Sequence, residues 1–199
     1  KNMNIQDNIK KFIILSFIIL LPNNSYSQDV YDIDIYGYKL SKSMFDYFSA
    51  KEIKGMIKQT EIATQNKFDR YEYKGKTKDN AYDAFTFQTK KGDPKLILYG
   101  ISAVKFFGKN NLELCESKRI KITNEIKRKY PNVKPTTGTY QYKYLNDGKS
   151  IAYITQFLLQ GGAIRTYCID WSEQDEEKEN YEDNLRMDLQ SEIFLKYKK

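Results

Sequence analysis

The apolar positions of this chain form one unbroken run, then stretches that switch between periods of two and of three to four. The run comes first: Phe12–Leu21 is ten consecutive residues without a charge. Lys1, Lys10 and Lys11 precede it, Pro22 ends it, and small residues follow at Ser25 and Ser27. A positive flank, a short apolar run and a small-residue site make a cleavable secretory signal over residues 1–27, with cleavage before Gln28. As a helix the run would measure about 15 Å, half of the roughly 30 Å hydrocarbon core. It therefore predicts no permanent anchor, and residues 28–199 read as a single exported domain that is not an integral membrane protein after cleavage.

Beyond Gln28 the pattern alternates weakly, with Val30, Ile33 and Ile35 set among Asp29, Asp32 and Asp34, which predicts an edge strand or an extended lead-in. Met44, Phe45, Tyr47, Phe48, Ile53 and Met56 then recur at helical spacing, and Ser41 or Ser43 is placed to cap them with Asp46 near the third position. Gly55 interrupts this stretch, so it predicts one or two short helices. Asp69–Tyr73 reads as a strand. Tyr82–Thr89 alternates, and the Lys91-Gly92-Asp93-Pro94 turn leads into a β-rich run over Lys95–Phe107, which makes a hairpin.

From Asn110 to Tyr130 the period is helical: Leu112, Cys115, Ile122, Ile126 and Tyr130 form one stripe, and Pro131 stops it. Lys118, Lys121 and Arg128 fall largely on the other side. Strands return afterwards. Tyr140, Tyr142 and Tyr144 share one face of a strand that ends at Asn146-Asp147-Gly148-Lys149; Ile151–Leu159 and Ala163–Trp171 follow, and Leu185–Leu189 is a candidate last strand. Glu173–Asp183 reads as an acidic, solvated loop. The expected fold class is α+β: an antiparallel sheet of about five to six strands, with one long helix and one or two short N-terminal helices packed on it.

Charge and cysteines sharpen this picture. The chain carries 33 Lys and Arg against 26 Asp and Glu, for a net charge of +7. Residues 51–150 hold 22 basic against 11 acidic residues, whereas residues 151–199 hold 6 against 10. A basic middle outside the cytoplasm suits an envelope protein, an anionic polymer or a lipid surface as partner; nucleic acid does not fit an exported chain. The abundance of Lys, Asn and Ile points to AT-rich codons and a bacterial source, hence a periplasmic or secreted location. Cys115 and Cys168 are the only cysteines, and an even count in an oxidising compartment predicts a bridge between them. With Cys168 turned inward to meet Cys115, a period of two turns Ile164 and Thr166 inward too. Arg165, Tyr167, Ile169 and Trp171 then share the opposite face. Either the N-terminal helices cover that face or it is a binding surface, whose aromatic and Arg content is that of an interaction hot spot.

Catalytic chemistry is thinly represented. There is no histidine in the chain, which removes Ser-His-Asp and Cys-His arrangements and His-ligated zinc. A bridged Cys pair leaves no thiol nucleophile, and Gly161-Gly162 lacks the Lys and following helix of a phosphate loop. No catalytic residue, metal ligand or cofactor site is expected.

The segments Gly37-Tyr38-Lys39-Leu40-Ser41-Lys42-Ser43, Tyr47-Phe48-Ser49, Glu52-Ile53, Asn110-Asn111-Leu112 with Cys115, and Tyr167-Cys168-Ile169-Asp170-Trp171 resemble a family of small exported proteins of AT-rich marine alphaproteobacteria, whose function is unknown. The resemblance implies a periplasmic location and the Cys115–Cys168 pair, and brings no activity. The expectation is a soluble, non-enzymatic periplasmic binding or adaptor domain, using Arg165, Tyr167 and Trp171 or Lys118, Lys121 and Arg128. The alternative is a carbohydrate-binding or carbohydrate-active protein that stacks sugars on Tyr140, Tyr142, Tyr144 and Trp171, with carboxylates nearby.

Overall fold

The structure, a computed structural model, describes residues 28–61, 64–75, 79–142 and 147–197. The expected secretion signal at residues 1–27, and with it Tyr144 and Asn146, lies outside the described residues. The described chain opens with a 3-10 turn, Val30–Asp32, and a short hairpin of β1 (Asp34–Ile35) and β2 (Tyr38–Lys39). A second 3-10 turn, Met44–Asp46, and helix α1 (Ala50–Gly55) follow. Each starts with a capping box, Ser43 with Asp46 and Ser49 with Glu52, which satisfies backbone N–H groups that the helix itself cannot.

Two four-stranded meanders then form one sheet. The first is β3 (Ile57–Thr60), β4 (Phe68–Tyr73), β5 (Ala84–Lys90) and β6 (Leu98–Phe106). Helix α2 (Leu112–Lys129) carries the chain to the far edge. The second meander, β7 (Thr136–Gln141), β8 (Ile151–Leu159), β9 (Gly162–Asp170) and β10 (Asn184–Ser191), brings it back beside β6. The resulting order is β3-β4-β5-β6-β10-β9-β8-β7, antiparallel at every described pairing. Two short helices complete the chain: α3 (Glu173–Glu179) lies between β9 and β10, and α4 (Glu192–Tyr197) follows β10.

This corrects the expected fold class. Over the described residues the protein is mostly β, with eight strands in one antiparallel sheet and a separate two-stranded hairpin, rather than an α+β fold with a sheet of five to six strands. The missing strands are short or polar. Strand β3, Ile-Lys-Gln-Thr, is exposed at all four positions, so no buried face imposes a period on it. Ile57, which continues the helical spacing of Ile53 in the sequence, sits in that edge strand and is 47% exposed. Backbone pairing to β4 makes it a strand, and pairing leaves no mark on side-chain composition.

One face of the sheet carries the main core. Phe85 and Phe87 of β5, Ile101 of β6, Leu185 and Leu189 of β10, and Ile164 and Cys168 of β9 are buried there. Helix α2 covers the β9 and β10 side through Cys115 and Ile126, with Leu112 and Ile122 half-buried at its margin. The N-terminal segment covers the β5 and β6 side through Ile35, Leu40, Met44, Phe48 and Ile53. Tyr38 makes ring contacts with Phe48, Phe85 and Phe87 at 5.0–5.6 Å. The expected bridge is present: Cys115 and Cys168 are joined, with their Cα atoms 5.9 Å apart. Two residues along β9, the Thr123 and Thr166 hydroxyls share a hydrogen bond of 2.9 Å, fixing the same contact a second time. Among the described residues no helix is long and apolar enough to cross a membrane.

The acidic segment after Trp171 also needs correction, because it is structural rather than a solvated loop. Asp175, Glu176 and Asp183 are buried. Asp175 accepts a short hydrogen bond from the Ser150 hydroxyl, and a Glu176 carboxylate oxygen accepts the Asn110 N–H at 3.1 Å. Asp183 accepts the Asn111 N–H at 2.7 Å and the Trp171 N–H at 3.1 Å. Glu176 and Asp183 thus satisfy backbone donors at the start of α2 and the end of β9.

Candidate functional site

With α2 and the N-terminal segment both on the Cys168 side, the opposite face of the central strands is unlike a core. Period two places Arg186, Asp188 and Gln190 of β10 there, and register sets their neighbours. Gln88, Gly100 and Gln190 stand in one row across β5, β6 and β10. Thr86, Ser102, Asp188, Arg165 and Gln156 form the next row, and Val104, Arg186, Tyr167 and Ile154 the one after. This is a polar strip through the middle of the sheet, and its floor is buried: Asp188 is 1% exposed, Gln190 2% and Gln88 5%. Around it Arg70, Gln156, Arg165, Tyr167 and Arg186 are half-buried.

Apolar groups mark both ends of the strip. At one end α4 sets Phe194 against Phe68, ring centroids 5.0 Å apart, with Tyr99 also beside Phe68. At the other, rings run in sequence from Tyr140 to Tyr142, Trp171 and Tyr181, with spacings of 5.0, 5.4 and 4.5 Å. Tyr140 is 51% exposed.

The hydrogen bonds within the strip are lopsided. Tyr167 Oη and Gln190 Nε2 both donate to Asp188 Oδ2, at 2.9 Å each. Gln88 Nε2 donates to Thr86 Oγ1 at 3.2 Å, and Arg165 Nε donates to Gln156 Oε1 at 2.6 Å. Among the described residues, three buried acceptors of the strip are left without a partner: Gln88 Oε1, Gln190 Oε1 and Asp188 Oδ1. Buried acceptors are ordinarily paired, so three in neighbouring rows of one face set the strip apart from an ordinary core and make it the candidate site. Ionisation behaviour agrees with a desolvated, coupled cluster. Burial, then the Asp188 carboxylate, pushes the Tyr167 hydroxyl well above its ordinary value. Burial pulls the Arg186 guanidinium down, but Tyr167, Asp188 and Tyr142 together more than offset that and leave it raised. The Tyr142 hydroxyl is raised, chiefly by burial.

Arg165, Tyr167 and Trp171 thus lie on one face, with Arg165 and Tyr167 in the polar strip and Trp171 in the ring cluster at its end. The N-terminal helices pack on the other face and do not cover them. Lys118, Lys121 and Arg128 sit along one side of α2, away from the strip. Lys118 Nζ donates to the Ala81 carbonyl at 3.2 Å and lies over the Tyr82 ring; Lys121 and Arg128 are exposed. Lys118 and Lys121 line an open groove of about 420 Å³ with Tyr36, Tyr82 and Glu125. There the Tyr36 hydroxyl donates to Asp79 and is pushed up to about 12, by burial and by that bond. Sequence reasoning passed over Gln88, Arg186, Asp188 and Gln190. For the three on β10 the signal was the alternation of Leu185, Met187 and Leu189 with Arg186, Asp188 and Gln190, which describes an edge strand as well as a central one.

Asp170, at the end of β9, yields a separate prediction. Burial, then Asp183 and Glu176, raises its carboxyl above the usual range. An acid whose folded value lies above its unfolded value weakens the native state as pH rises through that window. Asp170→Asn is therefore expected to raise the Tm at pH 7, with the gain vanishing below about pH 4, where the unfolded carboxyl is also protonated. Thermal melts of both proteins across pH test this; an equal gain at every pH would show that charge is not the cause.

Comparison with family models, curated proteins and solved structures found no match for this chain. The function must therefore be argued from the strip itself.

Proposed function

We propose that this chain is an exported, non-enzymatic binding domain, and that the polar face of its sheet holds a small polar ligand. The observation that carries this reading is the buried row of unpartnered acceptors at the centre of the sheet, on the face that neither α2 nor the N-terminal segment covers. Leaving a buried polar group unpaired costs about 1–3 kcal/mol, and such a cost persists where function requires it. Export is supported by the pattern of residues 1–27 and by the bridge, since disulfides persist in oxidising compartments. The resemblance to small exported proteins of AT-rich bacteria favours the periplasm.

Two measurements test the proposal. Intact mass of the protein recovered from the bacterial envelope should place its first residue at Gln28; protein retained in the cytoplasm with residues 1–27 attached would refute export. Chemical-shift mapping against free amino acids, mono- and disaccharides and polyols should find a ligand that perturbs the amides of β9 and β10. That response should be lost in Arg165→Glu. Perturbation confined to α2, at Lys118, Lys121 and Arg128, would instead move the binding surface to the basic helix.

A second reading is favoured by the ring run from Tyr140 to Trp171. Stacked rings beside a polar strip suit a sugar, with the rings taking its apolar face. Trp171→Ala would then abolish saccharide binding in a protein that still folds.

A further inference from the structure

The geometry points to the chemistry of that ligand: a small zwitterion, such as a free α-amino acid, whose primary ammonium sits on Asp188, Gln88 and Gln190 and whose carboxylate meets Arg165. The inference rests on the polar face being the binding surface.

The three unpartnered atoms are all oxygens, so the centre of the strip offers acceptors and asks for donors. Gln190 and Asp188 already reach each other through the 2.9 Å bond to Oδ2, which leaves Oδ1 as the buried half of the carboxylate without a bond. Gln88 Oε1 does not stay over its own strand. A Cβ built on Gly100 would lie 2.5 Å from it, so the amide oxygen rests over β6, in the row that leads to Gln190. Strands are about 4.8 Å apart, which brings the Gln88 oxygen within one strand spacing of β10. Having no side chain, Gly100 makes room for that amide oxygen.

A primary ammonium carries three N–H donors and one positive charge. Two amide oxygens and half a carboxylate match it in number, in sense and in sign. A hydroxyl has one donor and no charge, so it would leave acceptors unpaired. The opposite charge is supplied alongside. Arg165 stands directly across from Asp188 in the register. Among the described residues only its Nε is engaged, with Gln156, which leaves the outer edge of the guanidinium for a carboxylate. Arg186 stands one row further along, where its Nε donates to Asn184 Oδ1 at 3.1 Å, so it is not the residue directly across from Asp188.

The test is calorimetric titration of the purified protein with the common free α-amino acids, then with the N-acetyl and the amide derivatives of any that bind. N-acetylation removes the ammonium and is expected to weaken binding at least about tenfold; amidation removes the carboxylate and should weaken it by a similar factor. Asp188→Asn should reproduce the loss seen on N-acetylation. Should that variant fold poorly, Gln88→Met is the second probe: it removes one unpartnered oxygen at similar volume, so the protein should melt higher while binding falls. N-acetyl derivatives that bind as well as the free amino acids would overturn the ammonium contact and leave the polar-face reading intact. Heats of zero for every free amino acid would overturn the zwitterion outright and mean that solvent alone meets these oxygens, unless the saccharide and polyol panel perturbs β9 and β10. A panel that also leaves those strands unperturbed would take the polar-face reading down as well.

Discussion

Removing the bridge, by Cys115→Ala together with Cys168→Ala, is expected to cost about 4 kcal/mol. The cysteines are 53 residues apart, and closing a loop of that length removes roughly this much free energy from the unfolded ensemble in the chain-entropy model. The place of the bridge adds to the case. It ties α2, the connection between the two meanders, to β9 of the second one. Both cysteines are fully buried, so the alanine pair also loses packing around the sulfurs. For a domain of this size, 4 kcal/mol corresponds to a drop in Tm of roughly 8–16 °C. Urea denaturation with and without reductant measures the same quantity in the native sequence. Coincident midpoints would show that the bridge does not stabilise the fold.

The second large effect is expected at Asp183. Its two carboxylate oxygens accept the Asn111 and Trp171 N–H groups, and its own backbone pairs both ways with the β6 to α2 turn: Phe107 N–H donates to its carbonyl at 2.9 Å, and its N–H donates to Gly108 at 3.0 Å. Asp183→Ala leaves two backbone donors without their acceptor. Each hydrogen bond to a charged group contributes about 1.5–3 kcal/mol, so a loss of about 3–5 kcal/mol is expected. Asp183→Asn offers one carbonyl oxygen and should lie between the two. Equilibrium unfolding of the three proteins tests the order; an alanine variant as stable as the parent would show that solvent replaces both bonds without cost. Local effects should accompany the global one, with faster amide exchange at Asn111 and Trp171.

These two sites differ in how far they could be read in advance. The bridge needed only a count of two cysteines and an argument about compartment. Asp183 looked like one more charge in a run that includes Glu173, Asp175, Glu176, Glu177 and Glu179, and the run looked solvated. Within it, burial divides residues that composition cannot separate: Asp175, Glu176 and Asp183 are covered, whereas Glu177 and Glu179 are exposed. What decides is whether an unpaired backbone N–H from a distant part of the chain arrives beside the carboxylate, and that is a property of the assembled fold.

The same division runs through the whole molecule. Period alone located α2, because a helix that buries one stripe must repeat its apolar residues every three to four positions. It also located Ile151–Leu159 as a strand, and it assigned the two faces of β9 once Cys168 was turned inward to meet Cys115. Strand number, and with it the fold class, was beyond its reach: β3 is exposed at every position and is held by backbone pairing to β4. The place of β10 was equally hidden. Alternation of Leu185, Met187 and Leu189 with Arg186, Asp188 and Gln190 describes an edge strand as well as a central one. Only the return of the second meander to β6 puts that polar half at the middle of the sheet, beside Gln88 and Arg165. Local period is a matter of neighbouring residues and can be read from the chain; a site built from residues about a hundred positions apart comes into being only when the strands that carry them pair.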